Sequence, residues 1–478
     1  MRETLTLAAH CSALEFGDLP TPVVNQAKVA LQDCLGVGLF VSMRTPWGQA
    51  IRRFALAELA AAGVATIFGS SGMTTPGRAA LANGTCAQGF EYEDVHVRSP
   101  GHPECCVVPS ALAMAELVGA SGQELLTAIV AGCEVMVRVG LASGRDLGHP
   151  TVARGLFPQP LYGIFGAAAS AARILRLDAG QTAMVLGLAG EQAYGTLQST
   201  TEGVWSKRWH TGRVDEAGVN AALLVREGFI GPKRILEGEF GLYATHRLDF
   251  DPDPLVRAFR PPFEIMDLWF KHYPCWGVIH GAVDAVLLLR KEDRVEPREV
   301  EWLEGAVPRF ASTAFLQNHT PESVMAAQTS LPYCLAAAMV RGKLTPEEFT
   351  DEAIQDPEVL EFARTKVRPV LDEELEARRR GRLDFGGRAV VRLKDGRQLM
   401  REVNVPRGHP ANPMTADEMG VKFTTLATPV LGSAGAQRLY DEIQKIERVE
   451  CVRDFTRLLR PGGVSRTPEA PDLGERGP

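Results

Sequence analysis

The sequence contains no Cys-x-x-Cys pair. Its nine cysteines, at 11, 34, 86, 105, 106, 133, 275, 334 and 451, follow no regular spacing. That pattern excludes a zinc ribbon and a disulfide framework, and the odd count points to a reducing compartment. Several, such as Cys34 and Cys334, sit among apolar residues, where a free thiol serves as a small hydrophobe. An excess of charge of one sign is also missing: 51 basic against 58 acidic residues leave −7. A mildly acidic chain exerts no global pull on nucleic acid or on an anionic membrane. Positive charge for an anionic substrate must therefore be local. Long apolar runs are scarce, and the most apolar stretch, 105–120, is interrupted by Pro109 and Glu116 and is too short to span a bilayer. Met1-Arg2-Glu3-Thr4-Leu5 carries an acid at once and does not read as a signal peptide, so the expected location is the cytoplasm. No fixed-period repeat and no glycine-rich phosphate loop after a strand are seen, which argues against a solenoid and a Rossmann fold. What is present is 478 residues, 45% hydrophobic and 23% charged, enough for about two to four domains around a large core.

Apolar periodicity predicts helices over 22–40, 109–118, 122–139, 163–175, 178–194 and 214–227. Thr21, Ser121 and Asp178 stand where N-caps belong. The 163–175 segment is so rich in alanine and glycine that it must pack closely on most sides. After about 267 the pattern changes. A helix over 278–290 precedes a weak strand signal at 300–303, and helices follow at 321–340, 346–349 and 357–366. Two alternating runs, 388–394 and 397–405, joined by Asp395-Gly396, give the strongest hairpin signal in the chain. Helices return over 415–425, 434–446 and 452–459. The expected fold is mainly α: a large all-helical domain formed by both chain ends, 1–267 and 406–460, with a smaller inserted α+β lid domain, 268–405. The segment 461–478 reads as a disordered tail. A cleft between the two domains is the natural ligand site.

Five segments have chemical potential, and each has a plainer structural reading. Glu91-Tyr92-Glu93-Asp94, with His96, Arg98 and His102 following, offers carboxylates and imidazoles for proton transfer. Glu91 and Asp94 would share one face if helical, and the plainer reading is an acidic helix end meeting a surface loop. Lys207, Arg208, His210 and Arg213 cluster around Trp205 and Trp209, in a chain with six tryptophans. Aromatic walls lower the local dielectric and strengthen the grip on a carboxylate; the alternative is an exposed basic loop. His280, at the start of an apolar helix, is either functional or a buried histidine satisfied by backbone. Tyr333 beside Pro332 reads by itself as a core tyrosine. The loop 155–166, with Phe157 and Tyr162, runs into the small-residue helix. His and carboxylate spacings assemble no metal site.

In order, these segments resemble the MmgE/PrpD family, which includes 2-methylcitrate dehydratase and cis-aconitate decarboxylase. The pieces that carry the resemblance are Gly101-His102-Pro103 through Pro109, Gly163 through Ala169 and Trp205-Ser206-Lys207-Arg208-Trp209-His210. Tyr273-Pro274-Cys275 with His280 and Asp284, Ser330 through Cys334, and Asn412-Pro413 complete the set. The resemblance covers about 5–459 and implies a homodimer that works without metal or organic cofactor. It also implies catalytic roles for His102, Lys207, His280 and Tyr333. Glu91, Asp94, Arg208, His210, Tyr162 and Phe157 are the expected substrate-binding residues. Three positions depart from the family pattern. Glu91 stands for an aspartate, moving the carboxylate about one methylene outward; Val95 replaces a threonine; Phe157 replaces a histidine. Cys105-Cys106 also replaces small polar residues.

The chemistry so implied is that of a cofactor-independent lyase on a small di- or tricarboxylate, eliminating water or carbon dioxide through a carbanion-like state. Lys207 and Arg208 would bind the carboxylate and His102 would serve as acid/base, with Glu91 or Asp94 fixing a histidine tautomer. The departures at 91, 95 and 157 point away from the methylcitrate reaction. An alternative is an epimerase or isomerase, with Lys207 or Tyr162 facing His102. A further alternative is a non-catalytic degenerate homologue, against which stands the joint presence of His102, Lys207, His280 and Tyr333.

Overall fold

The computed structural model describes residues 2–57, 63–99, 101–144, 151, 154–311, 315–379 and 385–461. The expected tail lies outside them except for Pro461. The chain is mainly α. Helices α1 (Glu3–Ala13), α2 (Thr21–Arg44), α3 (Pro46–Ala57) and α4 (Pro76–Ala87) open it. They are followed by α5 (Pro103–Val118), α6 (Gly122–Ala142), α7 (Pro158–Ile174), α8 (Ala179–Gly190) and α9 (Ser206–Arg226). Further on come α10 (His280–Lys291), α11 (Leu331–Arg341), α12 (Pro357–Thr365) and α13 (Ala416–Ile443).

Local chemistry explains most boundaries. Ser121 and Asp178 close capping boxes with Glu124 and Gln181. Pro103 takes a first-turn position, which proline tolerates, so α5 starts well before the expected 109 and Pro109 lies inside it. The helix expected over 321–340 divides, because Ser330 caps α11 and Pro332 occupies its first turn. The small-residue reading of α7 holds. A Cβ on Gly163 would stand 2.4 Å from Cys106 Sγ, and one on Gly166 2.9 Å from Met136 Cβ. Helix α6 is long and apolar enough to cross a bilayer, yet its apolar window is wholly buried inside the protein.

Strands β1 (Ala65–Thr66) and β2 (Met73–Thr74) form one short ladder, and β3 (Asp94–His96) and β4 (Leu268–Phe270) another. Strands β5 (Val300–Pro308), β6 (Val367–Asp372), β7 (Gly387–Leu393) and β8 (Gln398–Val403) form a sheet of order β6-β5-β7-β8. The β5–β6 pair is parallel and the others are antiparallel. The expected hairpin is β7–β8, with Arg392 opposite Gln398 and Gly396 supplying the positive φ of the turn. The weak signal at 300–303 is the start of an inner strand of the sheet. Helices α10 and α11 pack against this sheet. One apolar core joins α1, α2, α4 through α9 and α13; a second surrounds the sheet but also takes Val37, Val41, Trp47, Phe90, Tyr92 and Val95 from the first hundred residues.

Candidate active site

The β3–β4 ladder decides the site. It pairs Asp94 with Phe270 and thereby sets the acidic segment beside Lys271, far away in sequence. The expected helical spacing of Glu91 and Asp94 is corrected here: Glu91 has φ 54° and Asp94 begins a strand. A left-handed glutamate costs roughly 1–2 kcal/mol, and it aims the Glu91 side chain at α9. Helix α9 itself begins at Ser206, earlier than expected, so the basic segment is a helical turn instead of a loop. Lys207 and Arg208 turn inward, while Trp205 and Trp209, expected to wall them, are exposed. Lys207 is 8% and Arg208 1% exposed. Lys207 Nζ donates to Glu91 Oε1, and Lys271 Nζ lies 3.2 Å from Glu93 Oε1 and 3.7 Å from Glu91 Oε2. Burial alone would push the Glu91 carboxyl up, but Lys207 and Lys271 outweigh it and hold it well below the usual carboxylate range. Burial likewise disfavours the Lys271 ammonium, and Glu93 and Glu91 more than restore it.

His102 is the N-cap residue of α5 and keeps 20% of its side chain exposed. Its Nδ1 lies 2.5 Å from the Asp94 carbonyl oxygen and 3.5 Å from Glu93 Oε1. A carbonyl only accepts, so Nδ1 carries the hydrogen and Nε2 is left as the basic nitrogen. Burial lowers the His102 pKa and the Lys271 charge adds to this, against the pull of Glu93. The imidazole is therefore neutral and able to accept a proton near neutral pH. His280 is fully buried; its Nε2 donates to the Cys275 carbonyl at 3.3 Å, and its Nδ1 has no hydrogen-bond partner. Burial, then Lys271, hold its pKa well below that of a free histidine.

Arg208 stacks on Trp47, its guanidinium carbon 3.9 Å from the ring centroid. Its Nη2 reaches Gln328 Oε1 at a long 3.5 Å, while Nε and Nη1 have no acceptor. Burial brings its pKa down to about 10. A buried guanidinium with no carboxylate in contact suits an anion, because Glu91 and Glu93 offset its charge only from a distance and its free N–H groups favour an incoming oxyanion. Lys207 and Arg208, adjacent on α9, thus turn to different neighbours: Glu91 for one, Trp47 and Gln328 for the other.

Glu91, His102, Lys207, Arg208 and His280 are brought into one electrostatic neighbourhood, in which Lys271 acts on both histidines. Other expected residues stand apart. The Asp94 carboxylate turns away from His102 and accepts from the Glu104 backbone N–H at 3.2 Å; only its carbonyl meets the imidazole. Burial, with Asp33 and Glu93 nearby, pushes its pKa well above the usual value. Tyr162 is buried in α7 and its hydroxyl donates to Ser143 Oγ at 2.8 Å. The Tyr333 hydroxyl donates to the Glu348 and Ala353 carbonyls within the sheet-side core. Phe157 packs edge-on against His210 at 5.7 Å between ring centroids, and His210 Nδ1 has no partner. Val95 is buried in the second core opposite Trp269. Gln159 joins the site's frame: its Oε1 accepts from the His102 N–H at 2.8 Å and its amide reaches Cys106 Sγ at 2.9 Å.

Two residues at the centre, Glu93 in the acidic segment and Lys271 in the segment leading to His280, are given no site role of their own by the sequence. The signal for Glu93 was alternation: in an extended segment 91 and 93 lie on one face. Nothing local marks Lys271; only the β3–β4 pairing does. Among the described residues one His/carboxylate group, His96, Glu264 and Asp267, has metal-ligand proximity. Arg98 binds both of its carboxylates and Arg257 also binds Glu264, so their charge is already neutralised.

The MmgE/PrpD N-terminal domain matches residues 5–255 and the MmgE/PrpD C-terminal domain residues 273–448. The chain belongs to the MmgE/PrpD family. It is 27% identical to the cis-aconitate decarboxylase-like protein oryM of Aspergillus oryzae, across 95% of this chain and 97% of that protein. It is 24% identical to cis-aconitate decarboxylase of Homo sapiens, across 100% of this chain and 96% of that protein. The mitochondrial 2-methylcitrate dehydratase of Yarrowia lipolytica is 26% identical over a shorter span, 42% of this chain and 40% of that protein. These relatives of the family member described here are lyases by name.

Proposed function

We propose that this family member is a cofactor-independent lyase that decarboxylates a small unsaturated tri- or dicarboxylate. The observation that carries the reading is Arg208, a buried guanidinium whose Nε and Nη1 have no acceptor, adjacent to Lys207 on α9. The similarity to proteins named cis-aconitate decarboxylase, over nearly the full length of each, supports decarboxylation over dehydration. Arg208 holds one carboxylate, and Lys207 exchanges Glu91 for a second. The bond from the reacting carbon to the departing carboxylate breaks, carbon dioxide leaves, and the electron pair stays on carbon as a delocalised anion. Fixed cations stabilise that charge as it develops. Negative substrate charge raises the His102 pKa, so Nε2 takes up a proton and delivers it to the carbon. The epimerase reading needs a second acid/base group opposite His102. With the Tyr162 hydroxyl on Ser143, Lys207 alone would have to fill that role. The division into 1–267 with 406–460 and a lid of 268–405, and work as a cytoplasmic homodimer, belong to the same proposal.

The test is turnover in D₂O of cis-aconitate, 2-methylcitrate and citrate, followed by NMR. Carbon dioxide release with one deuterium on the product carbon is expected. New alkene signals without loss of carbon would replace decarboxylation by dehydration, and deuterium without bond cleavage would favour epimerisation. No change with any of the three would remove this substrate class.

A further inference from the structure

The β3–β4 ladder ends at the Asp94–Phe270 pair. Continued in the same register it would set Glu93 opposite Lys271 and Tyr92 opposite His272, the stretch on which the charge cluster depends. Two side chains take over where the ladder stops. The Tyr92 hydroxyl donates to the His272 carbonyl at 3.1 Å. Lys422, from α13, enters between the two segments. Its Nζ donates to the Tyr92 carbonyl, the Lys271 carbonyl and Asp33 Oδ2, each at 2.9 Å. An ammonium has three N–H groups, so all are committed. Asp33 Oδ1 stands 2.7 Å away, and the ammonium lies 4.0 Å from the Tyr92 ring centroid. The lysine is buried, and its anchor Asp33 comes from α2.

We propose that Lys422 is a positioning residue of the active site: by tying the Tyr92 and Lys271 carbonyls together it holds Glu91, Glu93 and Lys271 at His102. It touches neither His102 nor the α9 cations. Its removal therefore loosens the acid/base group's surroundings and leaves the carboxylate anchors in place. This inference rests on the site proposed above, and a second buried lysine supplies the control. Lys28 of α2 donates to the Gln444 carbonyl at 2.9 Å and pairs with Glu447 at 2.7 Å. It ties α2 to the residues that follow α13, away from the site.

The experiment compares Lys422→Met and Lys28→Met in the full chain. Lys422→Met is expected to lower kcat about 100-fold, the effect of a displacement of about 1 Å, with KM within about threefold and the far-UV spectrum retained. Lys28→Met is expected to leave both constants within about twofold. A Lys422→Met enzyme with wild-type kcat, or an equal loss in Lys28→Met, would overturn the inference. A Lys422→Met chain that fails to fold is replaced by Asp33→Asn, for which the same split is expected and the same results count against. A wild type that turns over none of the carboxylates sinks the lyase reading, not this one. The His102 ring resonances, assigned by their loss in His102→Gln, then decide. They move in Lys422→Met and not in Lys28→Met, or the positioning role is refuted.

Discussion

Replacing Glu91 by glutamine tests the electrostatic logic of the site without changing its shape. Among the described residues Lys207 makes its ion pair with Glu91 alone, whereas Lys271 keeps Glu93 at 3.2 Å. Glu91→Gln thus leaves one buried ammonium uncompensated. Removing one partner of a buried pair destabilises by about 3–5 kcal/mol. At about 2.1 cal/mol/K per residue, a chain of 478 residues unfolds with an entropy near 1 kcal/mol/K, so Tm should fall by about 3–5 °C. The pH dependence has a definite sign. The folded-state carboxyl is depressed below its unfolded value of about 4.3, so its stabilisation is fully present above that pH. It is lost as pH falls through the folded-state value, and the gap between wild type and variant closes only in that acid range. The freed Lys207 should also attract a substrate carboxylate more strongly. A ligand at about 100 times its Kd returns about 2.7 kcal/mol, so cis-aconitate should raise the variant's Tm more than the wild type's. Differential scanning calorimetry between pH 3 and 8, with and without cis-aconitate, measures all of this. Equal Tm at pH 7, or a gap that widens in acid, would refute the pairing.

Arg208→Met removes a buried charge that has no carboxylate partner, so stability should hold or rise while KM for a carboxylate substrate increases about 10–150-fold, as for one charged hydrogen bond. Steady-state kinetics beside a urea melt separates the two effects. His102→Gln should lower kcat by about 10²–10⁴-fold with KM little changed. In the wild type, kcat/KM should hold to pH values below the ordinary histidine range, because burial keeps the free-enzyme imidazole neutral; a limb above pH 7 would contradict the assignment. Tyr333→Phe takes the hydroxyl donor from the Glu348 carbonyl, while the Ala353 carbonyl keeps the Asp356 N–H, and should cost about 1–3 kcal/mol. A fall in kcat at unchanged stability would instead place the hydroxyl at the substrate.

Sequence periodicity was sufficient for features set by neighbours in the chain. The Asp395-Gly396 hairpin and the capping boxes at Ser121 and Asp178 depend on a few adjacent residues, and all are present. Strand β6 escaped because a parallel partner is chosen by the sheet and not by its own alternation. The same distinction divides the site. His102, Lys207 and Arg208 were legible because each sits in an unusual local sequence. Asp94 was legible as a carboxylate, but only pairing could show that its side chain serves the start of α5 and its carbonyl serves His102.

The departures from the family pattern gain meaning from this geometry. With φ 54°, Glu91 points its side chain to Lys207 and pairs with it. Val95 faces the apolar second core, and Phe157 packs on His210, which has no partner at Nδ1. Positions 95 and 157 therefore lie against the protein's own core and His210, apart from the Lys207 and Arg208 cations. Val95→Thr would bury a hydroxyl in that core and should cost about 1–3 kcal/mol of stability, with the ratio of kcat/KM for citrate to that for cis-aconitate unchanged. A ratio raised toward citrate in the folded variant would instead place position 95 at the substrate.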